Sequence, residues 1–204
     1  MEAKKYRLTE THINIGGKIL YQIEALKDFG MVKAGDLGGY IESEENLSQD
    51  NDAWVSGNAW VVSNARVSGN AWVYGNAQVS GDAQVYDNAR VSGDALVSGY
   101  AQVSGYAQVY GYAWVYGNAQ VSGDAEVKSR EDYIVFKNWW SSARYFTWTR
   151  SNNMWKVGCF FGTGKELIKE AYNDSDISGR EYERIVRYVE EIMGENYGNK
   201  EKAE

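Results

Sequence analysis

A six-residue beat dominates the chain. From Asp52 to Ser129 it divides into thirteen consecutive units of the form Asn/Asp/Tyr-Ala-x-Val-Ser/Tyr-Gly, with alanine second and valine fourth in every one, as in Asn58-Ala59-Trp60-Val61 and Asp94-Ala95-Leu96-Val97. Two degenerate units, starting at Tyr40 and Asn46, extend the series backwards to fifteen. In extended chain Ala and Val, two apart, share one face, while the residues between and after them point the other way. The Gly-Asn and Gly-Asp junctions supply a corner. A strand of about four residues with a corner every six cannot form a hairpin meander, which needs spacings of roughly 8 to 12. The pattern predicts a chain wound into coils around a narrow core of Ala and Val.

The flanks break the beat. Residues 1–39 predict a hairpin: alternating His12-Ile13-Asn14-Ile15, the turn pair Gly16-Gly17, then Lys18-Ile19-Leu20-Tyr21-Gln22-Ile23. After Ser129 come three strand-like runs, about Tyr133 to Lys137, Arg144 to Thr149 and Met154 to Phe160. Thr163-Gly164-Lys165-Glu166 and Ser178-Gly179-Arg180-Glu181 read as capping boxes of two helices, the second with an apolar stripe of Tyr182, Ile185, Val186, Val189 and Ile192. The polar tail from Gly194 is expected to fray. Near-identical coils leave register undefined and ends open, so the flanks are expected to be caps. The organisation expected is an N-terminal β-hairpin cap over 1–39, a repeat region over 40–129 and a C-terminal α+β domain of three strands and two helices over 130–204.

An aliphatic residue followed four positions later by a small one, as in Val55 with Ala59 and Val61 with Ala65, resembles the hexapeptide-repeat left-handed parallel β-helix. The resemblance implies a mainly β, three-sided prism with three units per coil, hence five coils and a height of about 24 Å at ~4.8 Å per coil. The Ser or Tyr after the valine departs from the usual small residue or acid. Asp36-Leu37-Gly38-Gly39-Tyr40 leading into the repeats, and the segment from Tyr145 through Met154-Trp155-Lys156-Val157-Gly158-Cys159-Phe160-Phe161-Gly162-Thr163-Gly164, resemble hexapeptide-repeat proteins frequent in phage and prophage genomes, often labelled transferase-like or polymer-forming. That likeness implies a mobile-element origin and a host factor as partner: a defence protein such as a CRISPR component, or its nucleotide signal.

Composition narrows the classes. With 204 residues, 44% apolar content and a net charge of −7, the chain is expected to be folded rather than disordered. It lacks proline, and its single cysteine leaves no disulfide to form within the chain. No signal-like apolar stretch opens it and no run approaches about 18 apolar residues, so a cytoplasmic location without membrane contact is expected, the host cytoplasm if phage-encoded. Charge is uneven: residues 40–129 sum to −7, the flanks to +1 and −1. An acidic prism does not take nucleic acid along its sides. Between Tyr133 and Lys165 there is no acid, and Lys137, Arg144, Arg150, Lys156 and Lys165 interleave with aromatics that include Trp148. That composition suits a nucleotide or single-strand platform. It equally suits a small domain whose aromatics form its core.

Catalytic chemistry finds little purchase. Hexapeptide acyltransferases need a histidine base on a coil or excursion loop, whereas His12 lies outside the repeats and the strict spacing leaves no room for such a loop. Acyl transfer is carried as the alternative. Cys159, in an apolar run, reads as a buried inert thiol. Gly162-Thr163-Gly164-Lys165 fails as a phosphate loop because Cys159 and Glu166 stand where Gly and Ser/Thr are required. One His and one Cys make a zinc site unexpected, and no cofactor is implied. With three units per coil, outward positions stack in columns: Ser48, Arg66, Gln84, Gln102 and Gln120; Glu42, Trp60, Gln78, Leu96 and Trp114; Trp54, Trp72, Arg90, Gln108 and Glu126. Trp54, Trp60, Trp72, Trp114, Tyr74, Tyr86, Tyr110 and Tyr116 are therefore expected on the surface, as a partner or dimer or trimer interface. The expectation is a non-catalytic binding protein.

Overall fold

The computed structural model describes residues 4–198. Strands β1 (Tyr6–Ile15) and β2 (Lys18–Ala25) form the predicted hairpin, and β3 (Leu37–Ile41) leads into the coils. Thirteen two-residue rungs follow, from Trp54–Val55 to Glu126–Val127, stacked in parallel as three sheets. They make a β-solenoid of about five turns. The rungs are shorter than the four residues expected because the alanine N–H is spent on closing the corner. Ala59, for example, donates to the Ser56 carbonyl at 3.4 Å rather than to the next coil.

The core is as the periodicity demands, with every repeat Ala and Val at most 1% exposed. Each corner places the sixth residue at positive φ, which ten glycines adopt freely and Ser63 (φ 66) and Asp87 (φ 60) adopt with side chains. Close stacking adds a second reason for glycine: a Cβ at Gly69 would lie 2.8 Å from the Asp87 nitrogen of the next coil. Outside the corners, Asn58 Nδ2 donates to Asn76 Oδ1 (3.2 Å) and Asn76 Nδ2 to Asp94 Oδ1 (3.0 Å), and the other two edges carry similar ladders.

The first coil departs from the expected columns. Tyr40, not Glu42, pairs with Trp60, and Leu47 bridges to Val67, so both partners lie two places further along the chain than the step from Trp54 to Trp72 would put them. Two extra residues therefore sit in the corner between Ser48 and Asn51. That enlarged corner receives the N-terminus: Gln49 Oε1 accepts from the Lys5 N–H at 2.8 Å. Lys5, 1% exposed, directs its ammonium at the carbonyls of Ala53 (2.9 Å), Asn51 (3.2 Å) and Asp50 (3.3 Å). Tyr6 Oη donates to the Leu47 carbonyl at 2.7 Å and Asn46 Nδ2 to that of Ala65 at 2.9 Å. Carbonyls that each later coil offers to its predecessor are here met by side-chain donors.

The opposite end is closed mainly by acceptors. In the last coil, the N–H of Gln120 donates to Thr147 Oγ1 (2.8 Å), that of Glu126 to Ser151 Oγ (2.7 Å) and that of Lys128 to Asp132 Oδ2 (2.7 Å). Tyr133 Oη donates to the Trp114 carbonyl at 2.9 Å. These groups come from an antiparallel sheet of four strands, not three: β4 (Tyr133–Lys137), β5 (Tyr145–Thr149), β6 (Met154–Val157) and β7 (Phe160–Gly162). The third predicted run folds back on itself at Gly158, φ 56, whose conformation ends β6. Strand alternation divides the sheet's faces. Tyr133 and Val135 pack on the solenoid core, while Ile134, Phe136, Phe146, Trp148 and Trp155 pack under helices α1 (Gly164–Asp174) and α2 (Asp176–Gly198). Thr163 caps α1 by the predicted box. Ser178 does not cap α2: the helix begins two residues earlier, and Ser175 Oγ accepts from the Ser178 N–H at 3.1 Å. Helix α2 continues past Gly194 to Gly198, and the rest of the tail lies outside the described residues. No helix among the described residues is long and apolar enough to cross a membrane.

Candidate binding surfaces

The first face of the solenoid presents Tyr40, Trp60, Gln78, Leu96 and Trp114 in one column. Trp60, Leu96 and Trp114 are half-buried, and Tyr116, 51% exposed, lies with its ring 5.3 Å from that of Trp114. The Arg130 guanidinium sits 4.0 Å from the Trp114 ring centroid, fixing the indole at the C-terminal end of the column. Among the other aromatics expected outward, Tyr74 is exposed, Trp72 and Tyr86 are half-buried, and Tyr110 is half-buried with its hydroxyl donating to Glu126 Oε2 at 2.9 Å.

Trp54 corrects the expected surface. It is 2% exposed, covered edge-on by Phe29 at 5.3 Å and Tyr6 at 6.4 Å between ring centroids. A rule based on coil periodicity places it outside. The N-terminal segment, which the rule does not see, roofs it over.

Immediately below that roof the second face opens into a groove of about 580 Å³. Trp72, Arg90 and Gln108 form its floor in successive coils, paired in register. Asn70, Asn88 and Tyr106 line one edge, Tyr74 the other, and Gly30 with Met31 overhang the N-terminal end beside Asp52. Sequence reasoning found the floor column but not the groove, whose end wall comes from a loop that precedes the first rung in the chain.

The cationic segment is divided between the two ends of the C-terminal sheet. Trp148 is 3% exposed in the core beneath the helices, its Nε1 donating to Asn153 Oδ1 at 2.8 Å, so no base can stack on it. Lys137 and Arg144 lie exposed at one end of the β4–β5 hairpin, with the Lys137 ammonium 5.7 Å from the Tyr145 ring. Arg150 is at the other end, five residues of strand away, paired with Asp132 at 3.4 Å. Lys156 is paired across the sheet with Thr147, and Lys165 is in the first turn of α1. Phe146, Trp148 and Trp155 form the core of this domain, while Trp139 and Tyr145 stay exposed near Lys137 and Arg144.

His12 is exposed on β1, its Nδ1 3.0 Å from the Glu10 carbonyl oxygen and its ring 6.1 Å from that of Tyr21. The coils from Asp52 onwards run without an excursion, each rung pairing in register with the rung three units further on. Cys159 is exposed in the β6–β7 turn rather than buried, because the apolar run containing it is a hairpin and not a single strand.

A family model described as a YdcK β-solenoid repeat matches residues 65–81, 83–99 and 89–105. The matched stretches lie in the middle coils. No curated protein matches the chain. Sequence, coil geometry and repeat match agree on a β-solenoid wound from a six-residue repeat.

Proposed function

We propose that this β-solenoid is a non-catalytic binding protein whose aromatic first face docks a protein, either a second copy of the chain or a host factor. The observation that carries the reading is the column of Trp60, Leu96 and Trp114 with Tyr116 beside it, a half-exposed aromatic strip on a rigid support. Aromatic side chains offer large contact area at little conformational cost, and interfaces are enriched in them. The resemblance to phage and prophage hexapeptide proteins supports a bacterial host as the source of the partner, with inhibition of a defence protein, or capture of its nucleotide signal, as the outcome.

The test is affinity capture from a bacterial host lysate with wild type and a Trp60→Ala/Trp114→Ala double variant, beside sedimentation analysis of both and a screen of nucleotides. A partner or an oligomer that the double variant loses supports the reading. Empty pull-downs together with a monomeric wild type and no bound nucleotide refute it.

A further inference from the structure

The groove on the second face has chemistry of its own. Its floor and edges carry Arg90, Gln108, Tyr74 and Tyr106, none of whose side chains has a hydrogen-bond or ion-pair partner within the described protein. This contrasts with the Asn70–Asn88 ladder alongside, joined at 3.2 Å. Polar groups left uncommitted round a half-buried indole are the make-up of a small-ligand site, and about 580 Å³ falls within the range of roughly 300–1,000 Å³ typical of such sites.

Several features select the ligand. Asp52 and Arg90 leave the groove without net charge, which disfavours a phosphate polyanion. Backbone groups of the floor are already consumed by the coil ladder, for example Arg90 N–H to Ala107 O at 2.9 Å, so a peptide strand gains no main-chain bonds there. The remaining polar groups are mostly amides and phenols, which both donate and accept, as the hydroxyls of a sugar require. The indole of Trp72 supplies an apolar face for the C–H side of a sugar ring. Trp72, Arg90 and Gln108 occupy three successive coils, a span of about 10 Å at ~4.8 Å per step.

We propose that this groove binds a short oligosaccharide, with one ring on Trp72 and the following rings hydrogen-bonded by Arg90 and Gln108. The inference is independent of the protein-docking reading because it uses a different face.

The test is retention on an array of oligosaccharides derived from chitin, cellulose, mannan and polyuronates, followed by titration calorimetry with the retained sugar. Wild type retains at least one class. Trp72→Ala, Arg90→Ala and Gln108→Ala each weaken it tenfold or more, and Gln84→Ala, on the third face, leaves it unchanged. Because Trp72 also packs on the core, the two exposed polar variants decide the result if Trp72→Ala loses its circular dichroism. Retention of no sugar overturns the proposal, as does binding indifferent to Arg90→Ala and Gln108→Ala, or displacement of the sugar by a peptide selected from a display library.

Discussion

Two glycines on one edge of the solenoid separate the two reasons a corner needs glycine. Gly99 and Gly117 occupy equivalent corners one coil apart, with φ of 70 and 67. A Cβ at Gly99 would lie 3.0 Å from the Gly117 nitrogen and 3.2 Å from its Cα and carbonyl oxygen, whereas at Gly117 nothing lies within 4 Å. Both Gly→Ala variants incur the left-handed backbone cost of about 1–2 kcal/mol. Gly99→Ala alone must also push two coils apart, an overpacking cost of about 1–3 kcal/mol. Ser63 and Asp87 hold side chains in such corners, so each variant is expected to fold. The expected losses are about 1–2 kcal/mol for Gly117→Ala and about 2–5 kcal/mol for Gly99→Ala. Urea unfolding read by tryptophan fluorescence and far-ultraviolet circular dichroism measures both, provided the two probes coincide. In thermal melts each kcal/mol corresponds to about 2–4 °C at this chain length. Equal losses would show that the backbone conformation alone demands glycine and that coil spacing imposes nothing.

The caps yield further expectations. Thr147→Val keeps shape but removes the acceptor of the part-buried Gln120 N–H, costing about 1–3 kcal/mol in urea unfolding, while Ser151→Ala costs under about 1 kcal/mol because water replaces its bond to the more exposed Glu126 N–H; equal costs would contradict the end-capping argument. Burial lowers the Lys5 ammonium from 10.5 to about 8, despite the opposing pull of Asp52 and Asp50. The unfolded chain therefore binds the extra proton between those values, so this group's contribution makes stability rise with pH from about 8 towards 10.5, by an order of about 1–3 kcal/mol. Burial raises the Tyr6 hydroxyl, so that group works the other way, its contribution falling above about pH 10. Unfolding midpoints between about pH 7 and 9.5 should climb more in wild type than in Lys5→Met, and parallel slopes would refute the assignment. Trp54→Ala removes a buried indole roofed by Phe29 and Tyr6 and is expected to cost about 3–5 kcal/mol; a near-neutral melt would show that this side chain is not the keystone of the N-terminal roof.

What was legible in the chain was whatever repeats. Alanine and valine two apart, with glycine at the corner, fix which residues are inside at every coil from Ala53 to Val127, because the same local geometry recurs. The limits appear where repetition ends. Tyr40 and Leu47 fall out of register since two residues are spent in the Ser48–Asn51 corner, and the degenerate sequence there marks an irregularity without showing how many residues the corner holds. Its purpose is tertiary: the wider corner admits Lys5, whose ammonium meets carbonyls that have no preceding coil to satisfy them. The same reasoning explains the surface errors. Trp54 looks exposed in the sequence and Trp148 is left open between platform and core, yet the first lies under the N-terminal roof and the second under the helices. Periodicity specifies direction from the axis, and exposure additionally depends on what comes back to cover a position. The candidate sites are thus set by the non-repetitive flanks, which decide how much of each face stays open: the loop at Gly30 and Met31 stops one rung short of Trp72 and turns a uniform wall into a groove with a closed end.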